Sequence, residues 1–256
     1  MALLMQRESI IPQINDARNR YSQIFSDYLM ISAMLWPSQF FYLFRREIKL
    51  ILSKRSTLGF SCGFYLLLAS LAPFALGPEP AVLAETGGGL LWLFFLVTLC
   101  LSLDRLMMID RQTGSLAQIA LSGAPLFLVG FSKAASLWLS AAIPLLILTP
   151  LAGLLLHLSF PVQLAVALGL LCGGPALCLT ATLIASLTVA SKPQATLLPL
   201  LLLPLYVPIL ILGSMATMNA FENLSYTGPL LWLVALSLLT VAIFPAFIGW
   251  GIKSAL

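Results

Sequence analysis

The side chains of this sequence that are best suited to polar contacts lie together in residues 104–123, which we call the polar segment. Between two apolar runs, charged, amide and hydroxyl side chains follow in close succession: Asp104, Arg105, Asp110, Arg111, Gln112, Thr113, Ser115 and Gln118. Such side chains are costly to bury in lipid, so the segment is expected at the membrane surface, facing water. Ser115 and Gln118 have the spacing of a capping box, which predicts a short helix beginning at Leu116 and ending near Gly123 and Pro125.

Sequence motifs for catalysis or nucleotide binding are missing. Lys133 and Lys192 are not preceded by the glycines of a phosphate-binding loop, and no HExxH occurs. The single histidine, His157, could ligate heme iron from the outer face, although an ordinary interfacial residue is the favoured interpretation. Four cysteines lie inside apolar runs and are interpreted as packing residues rather than as a disulfide or metal site: Cys62, Cys100, Cys172 and Cys178. The chain is not expected to be an enzyme in its own right.

The composition is that of a protein that crosses a membrane several times. Hydrophobic residues make up 60% of the 256 residues, charged residues only 9%, and the mean hydropathy is +1.03. Several runs approach the roughly 20 apolar residues that span a bilayer. The net charge of +4 does not indicate nucleic-acid binding, because the basic residues are scattered between apolar runs.

We predict an all-α protein with six membrane spans, near residues 58–76, 88–103, 134–156, 162–189, 196–218 and 229–252. This arrangement places all 13 Lys and Arg residues on one side of the membrane. By the positive-inside rule that side is the cytoplasm, and it contains both termini and the polar segment. Spans four and five are expected to be irregular: Gly173, Gly174 and Pro175 interrupt the former, and Pro199, Pro204 and Pro208 bend the latter. Pro144 and Pro150 are expected to bend span three in the same way.

Residues 40–55 have the pattern of an amphipathic helix. Arg45, Arg46 and Lys49 share one arc of a helical wheel, and the opposite arc is apolar: Phe40, Phe44, Ile48, Ile51 and Leu52. We interpret this stretch as an interfacial helix with its apolar face in lipid, and packing against protein is the alternative. Residues 1–39 are weakly patterned and are expected to form a cytoplasmic extension ahead of a six-span domain of residues 40–256.

The polar segment resembles the cytoplasmic connection between spans two and three of type-2 ABC exporter permeases. The matching run is Asp110-Arg-Gln-Thr-Gly-Ser-Leu-Ala-Gln-Ile, followed by Pro125 and by Lys133 at the start of the next span. In that family the connection docks into an ATPase subunit. The resemblance therefore implies a short coupling helix here and these ATPase-contacting residues: Asp104, Arg105, Asp110, Arg111, Gln112, Gly114, Ser115, Leu116 and Gln118. Residues 40–55 match the family's interfacial helix.

A narrower resemblance, from about residue 41 to the C-terminus, is to the CcmB family, the heme exporter permeases of cytochrome c maturation. Its most specific part is the outer-loop motif Gly77, Pro78, Glu79 and Pro80, accompanied by residues 145–156, 173–175 and 198–216. Two positions depart from the pattern. Ala117 stands where an acidic residue is frequent, which weakens the case for a specific salt bridge to the ATPase. Asp104 stands where glutamate is common.

The resemblance implies a non-catalytic permease subunit in a bacterial inner membrane. The implied partners are a CcmA-like ATPase that binds ATP, a CcmC-like heme-handling membrane protein, a small CcmD-like subunit and a CcmE-like heme chaperone. Heme itself is expected on a partner, because the tryptophans here are far apart and form no Trp-rich heme loop. A type-2 permease for a lipid, polysaccharide or drug, and a scaffold without transport, are the alternatives.

Overall fold

The computed structural model describes residues 36–53, 55–112, 121, 124–190 and 197–254, and no strand occurs in these residues. Span three contains a wider π turn, Trp138–Ala142, between two helices. The helices are α1 (Trp36–Ser53), α2 (Arg55–Leu76), α3 (Pro80–Gln112), α4 (Leu126–Leu137), α5 (Ile143–Leu155), α6 (Phe160–Ala190), α7 (Leu197–Phe221) and α8 (Thr227–Ser254).

The prediction of an all-α protein with six membrane spans is confirmed. The described residues contain six helical stretches that are long and apolar enough to cross a membrane: Gly59–Leu76, Pro80–Cys100, Leu126–Leu155, Phe160–Leu187, Pro204–Phe221 and Thr227–Ser254. Two spans begin earlier than predicted, at Pro80 instead of residue 88 and at Leu126 instead of residue 134. Both starts have a proline at or just before the first helical residue, where the missing N–H is not needed.

The fourth span, α6, lies at the centre of the bundle. About two-thirds of its membrane-spanning residues, 67%, are buried inside the protein, against 22% for α2. It packs against α3, α4, α5, α7 and α8. Many of its buried side chains are small, among them Ala165, Ala176, Ala181 and Ala185. Small residues let neighbouring backbones approach closely, which is how helices associate in lipid.

The expected interruption of span four is wrong, and the prolines of span five do not break its helix. α6 is continuous through Gly173, Gly174 and Pro175, and α7 is continuous through all three of its prolines. The irregularity expected in span three is present, because the π turn ends two residues before Pro144. Proline has no N–H to donate to the carbonyl of Ser140. The helix therefore lacks one of the backbone hydrogen bonds that fix the number of residues per turn there.

Three short turns connect the spans at the end of the bundle remote from α1, and we call them the outer turns. Each contains a residue in the left-handed conformation: Gly77 with φ 93°, His157 with φ 52° and Asn223 with φ 57°. After α5, the N–H of Leu158 donates to the carbonyl of Gly153 over 2.9 Å. Together with a bond from the N–H of His157 to the carbonyl of residue 154, this is the Schellman ending of a helix. His157 therefore has a structural role, because its left-handed conformation ends α5.

The outer-loop motif forms the first outer turn. Gly77 supplies the left-handed residue after α2, and Pro80 is the first residue of α3. The N–H of Leu83 donates to the carbonyl of Glu79 over 3.2 Å, which closes the first turn of α3. The motif thus reverses the chain between two antiparallel spans.

We expect Gly77→Ala to destabilise the protein by about 1 kcal/mol, because a Cβ atom disfavours the left-handed conformation. The matched control is Gly63→Ala inside α2, where an added methyl group also meets open space but the backbone is helical. That variant should be neutral or stabilised by up to roughly 1 kcal/mol. Thermal unfolding in detergent measures both, and equal shifts would contradict the explanation.

Candidate functional site

The charged half of the polar segment is a direct continuation of span two. α3 runs unbroken from Pro80 to Gln112, whereas its membrane-spanning part ends at Cys100. A helix of this length measures about 50 Å, and the hydrocarbon core of a bilayer is only about 30 Å thick. The last turns of α3 therefore project out of the apolar region, and they carry Asp104, Arg105, Asp110, Arg111 and Gln112.

The second half of the polar segment falls largely outside the described residues. This applies to Gly114, Ser115, Leu116 and Gln118, and with them to the predicted capping box. Leu121 is helical and exposed. Ala124 and Pro125 are not helical, and the carbonyl of Pro125 accepts the N–H of Leu128 over 2.9 Å at the start of α4. A break close to Pro125 is thus present, as predicted.

The predicted amphipathic helix is α1, and part of its apolar face packs against protein. The ring of Phe40 lies 5.4 Å from the ring of Phe131 on α4, centroid to centroid. Leu43 is buried in a cluster that includes Leu128 and Ile248. Phe41, in contrast, is exposed. The alternative of packing against protein therefore accounts for the side of the helix that carries Phe40 and Leu43.

A buried ion pair joins α1 to α4. Oε1 of Glu47 lies 3.0 Å from Nζ of Lys133 and 2.8 Å from Nη1 of Arg46. The side chain of Lys133 is 0% exposed and that of Glu47 only 5%. Removing charges from water is expensive unless they are paired in good geometry, so the contact holds α1 at one position along α4. The other two predicted basic residues, Arg45 and Lys49, are exposed.

Two residues of this pair were misjudged or missed by sequence reasoning. Lys133 was predicted to lie just before span three, and this is wrong because α4 begins at Leu126 and contains it. Glu47 was not singled out at all. Glu47 lies four residues after Leu43, and the buried residues Gln39, Leu43 and Glu47 form one line along the helix. This spacing is the pattern in the sequence that indicates a buried carboxylate.

The described residues offer little to recognise a polar cargo or a metal. Among them, no group of three or more His, Cys, Asp or Glu side chains could hold a metal ion. An apolar groove of about 710 Å³ lies between α4 and α8, with Trp250 and Lys253 in its lining. A second groove, of about 630 Å³, lies between α3, α6 and α7 and includes Glu85 and Thr86. Both grooves are open and largely apolar.

We expect Glu47→Gln to lower the free energy of unfolding by roughly 2–3 kcal/mol, because Lys133 loses a charged partner while staying buried. The double variant Glu47→Leu, Lys133→Met should recover most of this loss, since neither charge then needs compensation. The exposed carboxylate variant Glu222→Gln is the control and should change stability by less than about 0.5 kcal/mol. A double variant no more stable than Glu47→Gln would contradict the interaction between the two residues.

Comparison with known proteins identifies the family of the chain. The family described as CcmB protein matches residues 38–254. Heme exporter protein B of Rhodobacter capsulatus is 38% identical over 203 residues, which cover 79% of this chain and 93% of the relative. Heme exporter protein B of Bradyrhizobium diazoefficiens is 40% identical over 204 residues, covering 79% and 92%. The same protein of Pseudomonas aeruginosa is 37% identical over 214 residues, covering 84% and 96%. The chain is a member of the CcmB family.

Proposed function

We propose that this chain is the permease subunit of an ABC complex that serves cytochrome c maturation, by exporting heme or by releasing a heme-loaded chaperone. Its relatives are named heme exporter protein B, and the family match extends over almost the whole six-span domain. In this proposal ATP is bound and hydrolysed by a separate CcmA-like ATPase. Heme is handled by CcmC-like and CcmE-like partners, with a small CcmD-like subunit beside them.

The continuity of α3 is the observation that best supports a coupling role. One helix connects the charged turns at residues 104–112 with the outer-loop motif at Gly77 to Pro80. A helix transmits displacement along its axis with little internal deformation, so a push on its cytoplasmic end would reach the outer surface. An ATPase that grips the polar segment could thereby change the outer turns.

The polar segment also leads forward into α4, which offers a second route into the membrane. α4 carries Lys133, and the ion pair with Glu47 ties it to α1. Movement of the segment would therefore displace α3 and α4 together with α1. The described part of the chain has its Lys and Arg residues at this end of the bundle, which supports a cytoplasmic location for it and for both termini in a bacterial inner membrane.

Co-purification of the tagged chain from its own membranes tests the proposal. We expect an ATPase subunit and a heme-containing membrane protein, identified by mass spectrometry and by the absorbance of heme. An ATPase without heme would indicate a permease for another cargo. Full maturation of c-type cytochromes without the ATPase would indicate a scaffold.

We expect Asp110→Lys and Gly114→Pro each to reduce co-purified ATPase at least about fivefold, a loss of roughly 1 kcal/mol or more in binding. The first reverses a charge on the projecting turns of α3, and the second restricts the backbone that follows them. Glu222→Lys makes the same charge change in an outer turn and should leave the ATPase bound. Unchanged recovery of ATPase in both test variants would contradict docking at the polar segment.

A further inference from the structure

The indole of Trp92 on α3 packs closely against glycines of two other spans, and we call this contact the Trp92 packing site. A Cβ atom added to Gly213 of α7 would lie 2.6 Å from Cδ2 and Cζ2 of the indole. One added to Gly169 of α6 would lie 2.7 Å from Cζ2, and one added to Gly173 would lie 3.3 Å from Cη2. Real Cβ atoms almost never approach other atoms below 3.0 Å. Only glycine therefore fits at the two closest positions.

The same interface is interlocked one helical turn away. A Cβ atom added to Gly88 of α3 would lie 2.8 Å from Cβ of Thr217 on α7. Gly88 and Trp92 are four residues apart on α3, as are Gly213 and Thr217 on α7. α3 thus presents Gly88 to the branched side chain of Thr217 and the large ring of Trp92 to Gly213. Neither helix can slide past the other without a clash, because close-packed interiors deform little.

The size of the indole ring, and not its N–H group, explains the Trp92 packing site. The side chain is 1% exposed, and its indole N–H has no hydrogen-bond acceptor among the described residues. A buried donor without a partner is unfavourable. The atoms that meet the glycines belong to the six-membered part of the indole, which extends farther than a phenylalanine ring would. The advantage of tryptophan at position 92 is therefore that its ring is both large and rigid.

We infer that Trp92 is the positioning residue through which α3 carries α6 and α7 when its cytoplasmic end is moved. This inference rests on the proposed function, since it assumes that an ATPase moves α3. A rigid indole held on both sides converts displacement of α3 into displacement of its neighbours. A smaller or more flexible side chain would leave only the contact between Gly88 and Thr217 in this interlock, so α3 would move its neighbours less. ATP hydrolysis would then continue while its effect on the heme-handling partners falls.

The test uses the whole complex purified with its ATPase, comparing wild type with Trp92→Phe and Trp92→Met. The phenylalanine is shorter, and the methionine has substantial volume but no rigid ring. For both we expect ATP hydrolysis within twofold of wild type and at least a tenfold lower release of heme-loaded chaperone per ATP hydrolysed. Trp232→Phe is the control, because Trp232 is 68% exposed on α8, and it should match wild type.

The ratio of release to hydrolysis separates positioning from simple stability. A purely structural role would lower the amount of folded complex and leave this ratio unchanged, which would overturn the inference. Wild-type ratios in both Trp92 variants would also overturn it. Where Trp92→Phe yields too little protein, Trp92→Met carries the test. Failure of the proposed function is recognised separately, because the wild-type chain would then purify without an ATPase.

Discussion

Close contact between backbones is the constraint on which this bundle depends. Lipid is as apolar as a leucine side chain, so spans gain little by hiding such side chains from it and associate instead through tight packing. The contacts are short at several crossings. A Cβ atom at Gly249 of α8 would lie 2.9 Å from the backbone nitrogen of Phe127, and one at Gly251 would lie 2.7 Å from Oγ of Ser186. These crossings fix α8 against α4 and α6.

The end of the bundle that includes α1 is held by a different force. α1 contributes aromatic and aliphatic packing through Phe40 and Leu43, but its carboxylate Glu47 is what reaches into the protein towards Lys133. Packed helices can slide past each other by small distances only where their side chains can change position. A charge pair removed from water tolerates separation poorly, because each group would remain buried without its partner. The result is a bundle end whose helices are expected to move together.

The features predictable from the sequence are those that depend on the membrane alone. Six spans follow from lengths of apolar sequence, and the amphipathic pattern of α1 follows from helical geometry. The unpredicted features depend on which helix lies beside which. Lys133 resembled a loop residue because nothing local showed Glu47 opposite it. Gly173 is predicted to break span four because the sequence does not show that Trp92, on another span, packs against it. Glycine is compatible with a helix in which the backbone carbonyls stay hydrogen-bonded. The contact residues from Gly114 to Gln118 stay predictions.

The outer turns have a consequence for whatever lies on that side of the membrane. They comprise residues 77–79, 156–159 and 222–226, and each is used up in ending one helix and beginning the next. Segments this short cannot fold over a bound molecule or form a hydrophobic wall around it. A hydrophobic molecule delivered at this surface would find only the open apolar groove between α3, α6 and α7, which leaves one side of it in water. Cover for its exposed side would have to come from neighbouring chains that pack over this surface.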